Sequence, residues 1–582
     1  MKILSLHCDY LKFKAVKKAI KEPEELSENQ KKASEIKEPL VIFTAVEKSD
    51  ELNLKKASDL LVENILDLMK KVDAKKVVVY PYAHLSSNLS SPKAALEVLT
   101  ETEKKLKEKK VDVTRAPFGY YKEFELKCKG HPLAELSREI NLDGSKEGKL
   151  KPQETAGVLG TDEKYDPTQL LRQISKTKLD TSKLKENDHR ILGQKLDLFS
   201  FSETAPGMVF WHNNGLVIYN ELVNYWRDEH KKAGYQEIST PQILDKKLWQ
   251  VSGHWEKYKD NIFLTTYEGR EFAVKPMNCP GGMLVYKARP KSYKDLPLRV
   301  GELGIVHRQE LSGVLAGLFR VIKFTQDDAH IFCTEKQLEN EIVLIMKLIN
   351  KFFTKFNLQF DHVELSTRPE KRIGSDEVWD KAEKVLEDVL KKEKINYKIN
   401  KGDGAFYGPK IDFHIKDSLG RTHQCPTIQL DFAMPERFEL EYNGEDNQKH
   451  RPVMIHRVIY GSLERFIGIL LEHTNGNLPV WLSPIQVRVL SFTDRNNKAC
   501  EMLFEKLKEE GIRVDIDLES TTVNDKVRNA ELMKIPYIIV LGDKEEQNNT
   551  LAVRQKGEKP QFGIKTENFI RDLKEKIKNR GD

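Results

Sequence analysis

The segment RVGELGIVHRQELSGVLAGLFRVIKFTQDDAHIF, residues 299–332, decides how the centre of this chain folds. Both ends are rich in strand formers, and glycines punctuate the middle. That pattern predicts two antiparallel strands joined by a glycine-rich loop. Arg308, Arg320 and Lys323 bring cations to the hairpin, and Glu310 brings an anion. Arginines held on a rigid sheet clamp phosphates through paired N–H donors. The same residues also fit the plain charged surface of a hairpin. The sequence has no GxxxxGK[ST] loop and no GxGxxG turn after a strand, so a nucleotide site here has to be of another kind. On the second strand Gln326, Asp328 and His330 are spaced by two and share one face.

Working outward, 582 residues correspond to roughly four pieces of about 150 residues each. The 96 basic and 90 acidic residues nearly cancel, leaving a formal charge of +6. This balance excludes a histone-like nucleic-acid coat. It leaves open a structured RNA partner recognised through local patches. Six scattered cysteines are too few for a disulfide framework, which points to a reducing, cytoplasmic setting. No apolar run approaches the roughly 20 residues that span a bilayer. The opening MKILSLHCDYLKFK carries charges inside its apolar stretch, unlike a secretory signal.

The first part of the chain reads as an α/β unit. Strands are expected at 40–43 and 77–80, helices at 57–69 and 92–110, and an alternating strand at 120–129. On that last strand Lys122, Phe124, Leu126 and Cys128 share a face. A lysine on an apolar face either snorkels out from the strand end or is a cation held in a site. A polar stretch follows to about 188, with one short helix expected around Leu170. The last hundred residues alternate strand and helix, with strands expected at 486–490, 512–516 and 535–541.

At this level the central motifs become specific. HRQE with FRVIKFTQDDAHIF resembles motif 2 of the class II aminoacyl-tRNA synthetases. The segment 213–241 is similar to their motif 1, and GSLERFIGIL, 461–470, to motif 3. Within that class, KPMNCPGGM, FTQDDAHIF, AFYGPKIDF, TIQLDF and VMIHRVIYGSLERF together resemble the threonyl-tRNA synthetases. YPYAHLSS and CKGHPLAELS resemble the editing domain of the archaeal type, which is similar in fold to D-aminoacyl-tRNA deacylases.

The resemblance implies a multidomain α/β and α+β fold. Its parts would be an N-terminal deacylase-like editing domain at 1–144, a linker at 145–188, a class II antiparallel-sheet catalytic domain at 189–484 and an α/β anticodon-binding domain at 485–582. It implies one zinc ion on Cys279, His330 and His456, although spacing alone would read each as an ordinary core or surface residue. A tetrahedral site with one open position suits an ion that recognises the amino group and hydroxyl of threonine. Valine has the shape of threonine without its hydroxyl, and a site that demands a polar partner rejects such an analogue strongly. Asp328 would accept the hydroxyl hydrogen bond, and Met277, Gln326, Tyr407, Gln424 and Gln429 would complete the threonine pocket.

For ATP with Mg2+, the resemblance assigns Arg308 to the α-phosphate, Glu310 to the adenine amino group and Arg320 to the γ-phosphate. The adenine ring would lie between Phe324 and Arg465, with Lys410 as a further catalytic group. Serine keeps the hydroxyl, and its missing methyl is worth only about 1–3 kcal/mol, so a second, hydrolytic site is needed. His84, Tyr121, Lys122 and Glu135 would line it, acting on serine attached to tRNA(Thr). The two signs of charge nearly balance after 485, so RNA contact there rests on resemblance: LGDKE and AVRQKG place Glu545 and Arg554, with Arg528, near anticodon bases. Ser520 stands where, by the resemblance, family members can carry an asparagine, so a base contact is not implied there. The implied partners are tRNA(Thr), ATP and L-threonine, and motif 1 implies a homodimer. A prolyl or seryl enzyme is disfavoured by the Cys279, His330, His456 and Asp328 set. A non-catalytic RNA-binding regulator is disfavoured by the presence of Arg308 and Arg465.

Overall fold

The computed structural model describes residues 1–20, 23–26, 30, 32–86, 88–131, 133–140, 171 and 184–581. The linker expected over 145–188, up to residue 183, and the short helix expected around Leu170 lie outside the described residues, apart from 171. The chain divides into two compact units, Met1–Glu154 and Thr155–Asp582. Among the described residues no helix is long and apolar enough to cross a membrane.

The first unit is built on a seven-stranded sheet. Its longest strand, Lys2–Lys18, pairs antiparallel with Ser34–Lys37, Pro39–Ala45, Tyr120–Cys128 and Glu135–Glu139. Pro39–Ala45 continues in parallel to Lys76–Pro81, and that strand to Asp112–Arg115. Every residue of Pro39–Ala45 is buried because both faces are covered. Leu40 and Ile42 pack with helices Leu54–Val72 and Pro92–Glu108, whereas Val41 and Phe43 face a second cluster holding Phe13 and Tyr80.

The second unit holds an eight-stranded sheet. The hairpin expected from 299–332 is present as Leu298–His307 and Lys323–Cys333, antiparallel. From Lys323–Cys333 the sheet runs through Val453–Ser462, Thr422–Asp431 and Lys410–Lys416 to Gln359–Ser366, all antiparallel. Parallel pairing occurs at the margins, with Gln236–Glu237 and Tyr397–Asn400. Helices Asn213–Lys232, Leu338–Lys355, Asp376–Lys392 and Leu463–Thr474 cover one face, where Ile331, Ile411, Phe413, Ile428 and Ile455 join their apolar stripes. Alternation sends Phe332 and Met454 to the opposite face, with helix Cys279–Lys287.

The Asp327–Asp328 doublet spans this division. Asp327 points into the helix-covered side and accepts from the backbone N–H groups of Ile459 at 2.9 Å and Gly461 at 3.0 Å. Burial, opposed by Arg457 and these N–H groups, pushes its carboxyl up to about 7. Asp328 points the other way.

The same unit ends in a five-stranded sheet, Val514–Asp517, Val487–Ser491, Tyr537–Leu541, Thr550–Gln555 and Gln561–Lys565, the first three parallel. Arg513 ties it to Glu221 of the long helix at 3.1 Å, and Arg580 pairs with Asp228 there.

Candidate active site

His330 lies directly across from His456, which lies across from Gln429 on the next strand. Cys279 opens its helix, where Pro280 at the start costs no hydrogen bond. Folding brings these separated residues together: the ligand atoms of Cys279, His330 and His456 lie within 4.8 Å of one another, and all three side chains are buried. Asp431 Oδ2 is 2.9 Å from His456 Nε2, which orients that ring and leaves Nδ1 free to ligate. His330 Nε2 is buried without a hydrogen-bond partner. Buried polar atoms are rarely left so, and an unpaired imidazole nitrogen beside a thiol and a second imidazole could serve a cation. One sulfur and two nitrogens with a remaining position suit zinc. Burial raises the Cys279 thiol well above its ordinary range and holds the His330 imidazole well below its own. Metal binding would therefore displace the thiol proton and take the imidazoles as they are.

Of the remaining expected threonine contacts, Asp328, Tyr407 and Gln429 stand beside this centre. Asp328 Oδ2 is 3.7 Å from His330 Nε2 and accepts from Asn278 Nδ2 at 3.2 Å. Gly304 makes that approach possible: a Cβ there would meet Asn278 Oδ1 at 2.0 Å. The Tyr407 ring packs 4.8 Å from that of His456, and its hydroxyl donates to Gln429. Gln326 is paired in register with Gly304 and Ser462. Gln424 donates to Asp412 Oδ1 at 2.7 Å, and Lys410 meets Asp412 Oδ2 at 2.9 Å and Asp403 at 3.0 Å. Burial would lower the Lys410 pKa, but the two carboxylates prevail and raise it.

Of the expected nucleotide residues, Arg308 and Phe324 are adjacent, with the guanidinium 5.1 Å from the ring. The Arg308 guanidinium also lies 5.8 Å from the Tyr258 ring. Arg320 and Glu310 pair with each other at 2.9 Å. Arg465 Nε is buried without a partner.

Several site residues were missed by sequence reasoning. His254 is fully buried, with Nε2 2.9 Å from Met277 Sδ and 3.9 Å from Cys279 Sγ. Burial, reinforced by His456, Arg308 and Arg437, pushes it down to about 3, so it is a neutral imidazole. Nothing in its spacing marks it. Asp431 and Asp412 were legible in principle, two residues from Gln429 and Lys410 on alternating strands.

In the first unit a cavity of about 520 Å³ is lined by Tyr80, Tyr82, His84, Tyr121, Lys122 and Phe124, among others. Lys122 Nζ donates to the carbonyls of Pro117 at 2.8 Å and Tyr120 at 3.1 Å and sits 5.1 Å from the Tyr80 ring. Glu135 does not line this cavity; it lies opposite Leu6 and hydrogen-bonds Cys128. Burial, against a weaker pull from Glu24, lowers the Lys122 pKa from 10.5 to about 8. Competitive acetylation of Lys122, followed by mass spectrometry across pH, is expected to give a midpoint near 8; one near 10.5 would reject the buried-cation description. The folded chain holds this proton more weakly than the unfolded chain. The Lys122 contribution to stability therefore rises as pH increases from about 8 to 10.5.

In the C-terminal sheet region Arg528 is exposed. Glu545 accepts from the Gly542 N–H at 3.1 Å, Arg554 meets Glu531 at 3.2 Å, and Ser520 donates to Asp494 at 3.0 Å.

Three family models match separate parts of the chain. Residues 1–140 match the family described as the archaea-specific editing domain of threonyl-tRNA synthetase. Residues 263–474 match the class II tRNA synthetase core domain (G, H, P, S and T), and 486–576 the anticodon-binding domain. The chain is 56% identical over 396 residues to the threonine–tRNA ligase of Desulforamulus reducens, covering 68% of this chain and 62% of that protein. The corresponding enzyme of Acetivibrio thermocellus is 55% identical over 396 residues, with the same coverage. The chain thus spans 62% of the length of these curated relatives. The crystal structure described as the RNA binding domain of threonyl-tRNA synthetase from Cryptosporidium parvum Iowa II superposes with a TM-score of 0.65 at 39% identity, covering 67% of this chain and 98% of that one.

Proposed function

Because the chain belongs to the threonyl-tRNA synthetase family, we propose that it attaches L-threonine to tRNA(Thr) and clears serine wrongly attached to that tRNA. The observation that carries the first activity is the convergence of Cys279, His330 and His456 beside Asp328, on the sheet face that also holds Arg308 and Phe324. These three side chains would hold Zn2+, which supplies a Lewis-acidic position for the amino group and hydroxyl of threonine.

Asp328 would accept the substrate hydroxyl hydrogen bond, with its carboxylate steadied by Asn278. Tyr407 and Gln429, joined to each other, would form the wall beside it. The threonine carboxylate would attack the α-phosphorus of ATP, forming threonyl-adenylate as pyrophosphate leaves. Arg308 would bear on the α-phosphate charge and Arg320, freed from Glu310, on the γ-phosphate, while Glu310 turns to the adenine amino group. Adenine would stack on Phe324 with Arg465 above it. Mg2+ would accompany ATP and neutralise its phosphates. Lys410, anchored by Asp412 and Asp403, would hold Gln424 in place through the shared Asp412 carboxylate. The terminal ribose hydroxyl of the tRNA would then take the threonyl group.

The second activity is carried by the first-unit cavity with Lys122, His84 and Tyr121 in its wall. The domain divisions at 144, 188 and 484, a cytoplasmic homodimer built on the 213–241 segment, and anticodon contact through Arg528, Glu545 and Arg554 complete this reading. One paired assay tests it. Arg308→Ala should lower threonine-dependent pyrophosphate exchange about 10²–10³-fold. Lys122→Ala should leave exchange intact while seryl-tRNA(Thr) accumulates. Wild-type exchange in the first variant, or unchanged serine clearance in the second, would reject the corresponding half.

A further inference from the structure

The Arg320 side chain is 55% exposed and meets Glu310, but the backbone that carries it is fixed on both flanks. Beyond it, the Ile322 N–H donates to the Gly207 carbonyl at 2.7 Å. Ahead of it lies the turn Gly317–Phe319, whose Leu318 is fully buried. That turn is tied to His189, a residue from a distant part of the sequence that is itself 1% exposed.

His189 Nε2 accepts the Leu318 N–H at 2.9 Å. An imidazole nitrogen that accepts carries no proton, so Nδ1 is the donor, to Glu472 Oε1 at 2.5 Å. The His189 backbone N–H donates to the same oxygen at 3.0 Å. Burial would raise the Glu472 pKa, but its bonds from His189 and Arg421 prevail and lower it. Glu472 is thus a carboxylate, and both ring nitrogens of His189 are satisfied in one tautomer and one orientation.

Close approach is built into this turn. Gly317 has a φ of +52°, and a Cβ there would stand 2.2 Å from His189 Nε2. The Phe319 ring lies 4.3 Å from the imidazole. Helix Leu463–Thr474 comes as near, since a Cβ on Gly468 would meet Phe319 Cε1 at 3.0 Å. That helix carries Glu472 and, two turns earlier, Arg465. His189 therefore joins the helix bearing one expected nucleotide arginine to the turn that precedes the other.

We propose that His189 is a positioning residue for ATP. By holding Leu318 against Glu472 it fixes where Arg320 leaves the backbone, and so whether the guanidinium meets the terminal phosphate. This rests on the assignment of Arg320 to the γ-phosphate. His189 acts through Leu318 and Phe319 and not on the substrate itself. Misplacing a positioning group by about 1 Å can cost about 10²-fold. The γ-phosphate leaves within pyrophosphate, so one displacement weakens the hold on both ATP and pyrophosphate.

Threonine-dependent pyrophosphate exchange by the full chain tests this. His189→Ala is expected to raise the KM for ATP and for pyrophosphate about 10–100-fold, the worth of a hydrogen bond to a charged group. The KM for threonine should stay within about twofold of wild type. A merely structural role would instead reduce the active fraction, lowering kcat with every KM unchanged. Arg320→Ala should raise the same two KM values, and adding His189→Ala to it should raise them no further. If circular dichroism shows His189→Ala unfolded, Gly317→Ala, which pushes the turn off the imidazole and spares the Glu472 bond, becomes the deciding variant. A wild-type KM for ATP in Arg320→Ala would reject the phosphate assignment and the proposal with it. With Arg320→Ala impaired, a wild-type KM for ATP in the deciding variant, or effects that multiply in the double variant, overturns the positioning role alone.

Discussion

Cys279→Ala is expected to release the metal of the first centre and to lower threonine-dependent pyrophosphate exchange by about 10⁴-fold. The side chain is 3% exposed and supplies the only sulfur of the set. Without it, His330 and His456 remain as two imidazoles in a buried pocket, too few to retain zinc against a chelator. The pocket would then hold threonine through shape and the Asp328 carboxylate alone, without the ion that would take its amino group and hydroxyl. The loss should therefore fall on amino-acid selection and not on ATP binding, since Arg308 and Phe324 keep their mutual contact. Elemental analysis and exchange assays with threonine and valine check this; full exchange in metal-free protein would reject the role given to these three residues.

Glu302→Ala is expected to cost about 3–5 kcal/mol of stability. Glu302 Oε1 accepts from the Thr240 N–H at 2.8 Å, the Thr240 hydroxyl at 2.9 Å and Lys275 Nζ at 2.8 Å. Lys275 is 1% exposed and Glu302 2%, so truncating the acid strands an ammonium in the interior. Coulomb attraction within an intact buried pair only offsets desolvation, which is why removing one partner costs far more than removing both. Glu302→Ala combined with Lys275→Met should recover most of the loss. Denaturant unfolding followed by tryptophan fluorescence measures both, and a loss below about 1 kcal/mol in the single variant would contradict the description. Lys275 sits just before Met277 and Cys279, so the single variant should loosen the segment that positions the Cys279 sulfur.

Much of this architecture was legible in the sequence because local patterns reported it. Residues 299–332 showed the hairpin, and spacing by two placed Gln326, Asp328 and His330 on one face. The uninterrupted apolar run at 40–43 announced a strand, and the structure covers it on both sides. Lys122 was readable as an anomaly on an apolar face, and it does line a cavity. The 17-residue strand Lys2–Lys18 was read only for the charges that separate it from a signal peptide. Those charges belong to its outer half, where Leu11 and Phe13 are buried while Lys12 and Lys14 are exposed.

The candidate metal centre was not legible from spacing. Cys279, His330 and His456 stand on a helix start and two paired strands, and only the sheet register aligns them. His254 reaches the same centre from another segment and left no pattern at all.

The Asp327–Asp328 doublet has a consequence for redesign. Two adjacent carboxylates, chemically identical in the sequence, answer to different demands because the strand turns them to opposite sides. Replacing Asp327 removes the acceptor for two backbone N–H groups and challenges whether the chain folds. Replacing Asp328 would, on the proposed role, alter which amino acid is welcomed, and it leaves those two backbone contacts of Asp327 in place. An effort to reprogram the pocket has room to explore at one position and none at its immediate neighbour.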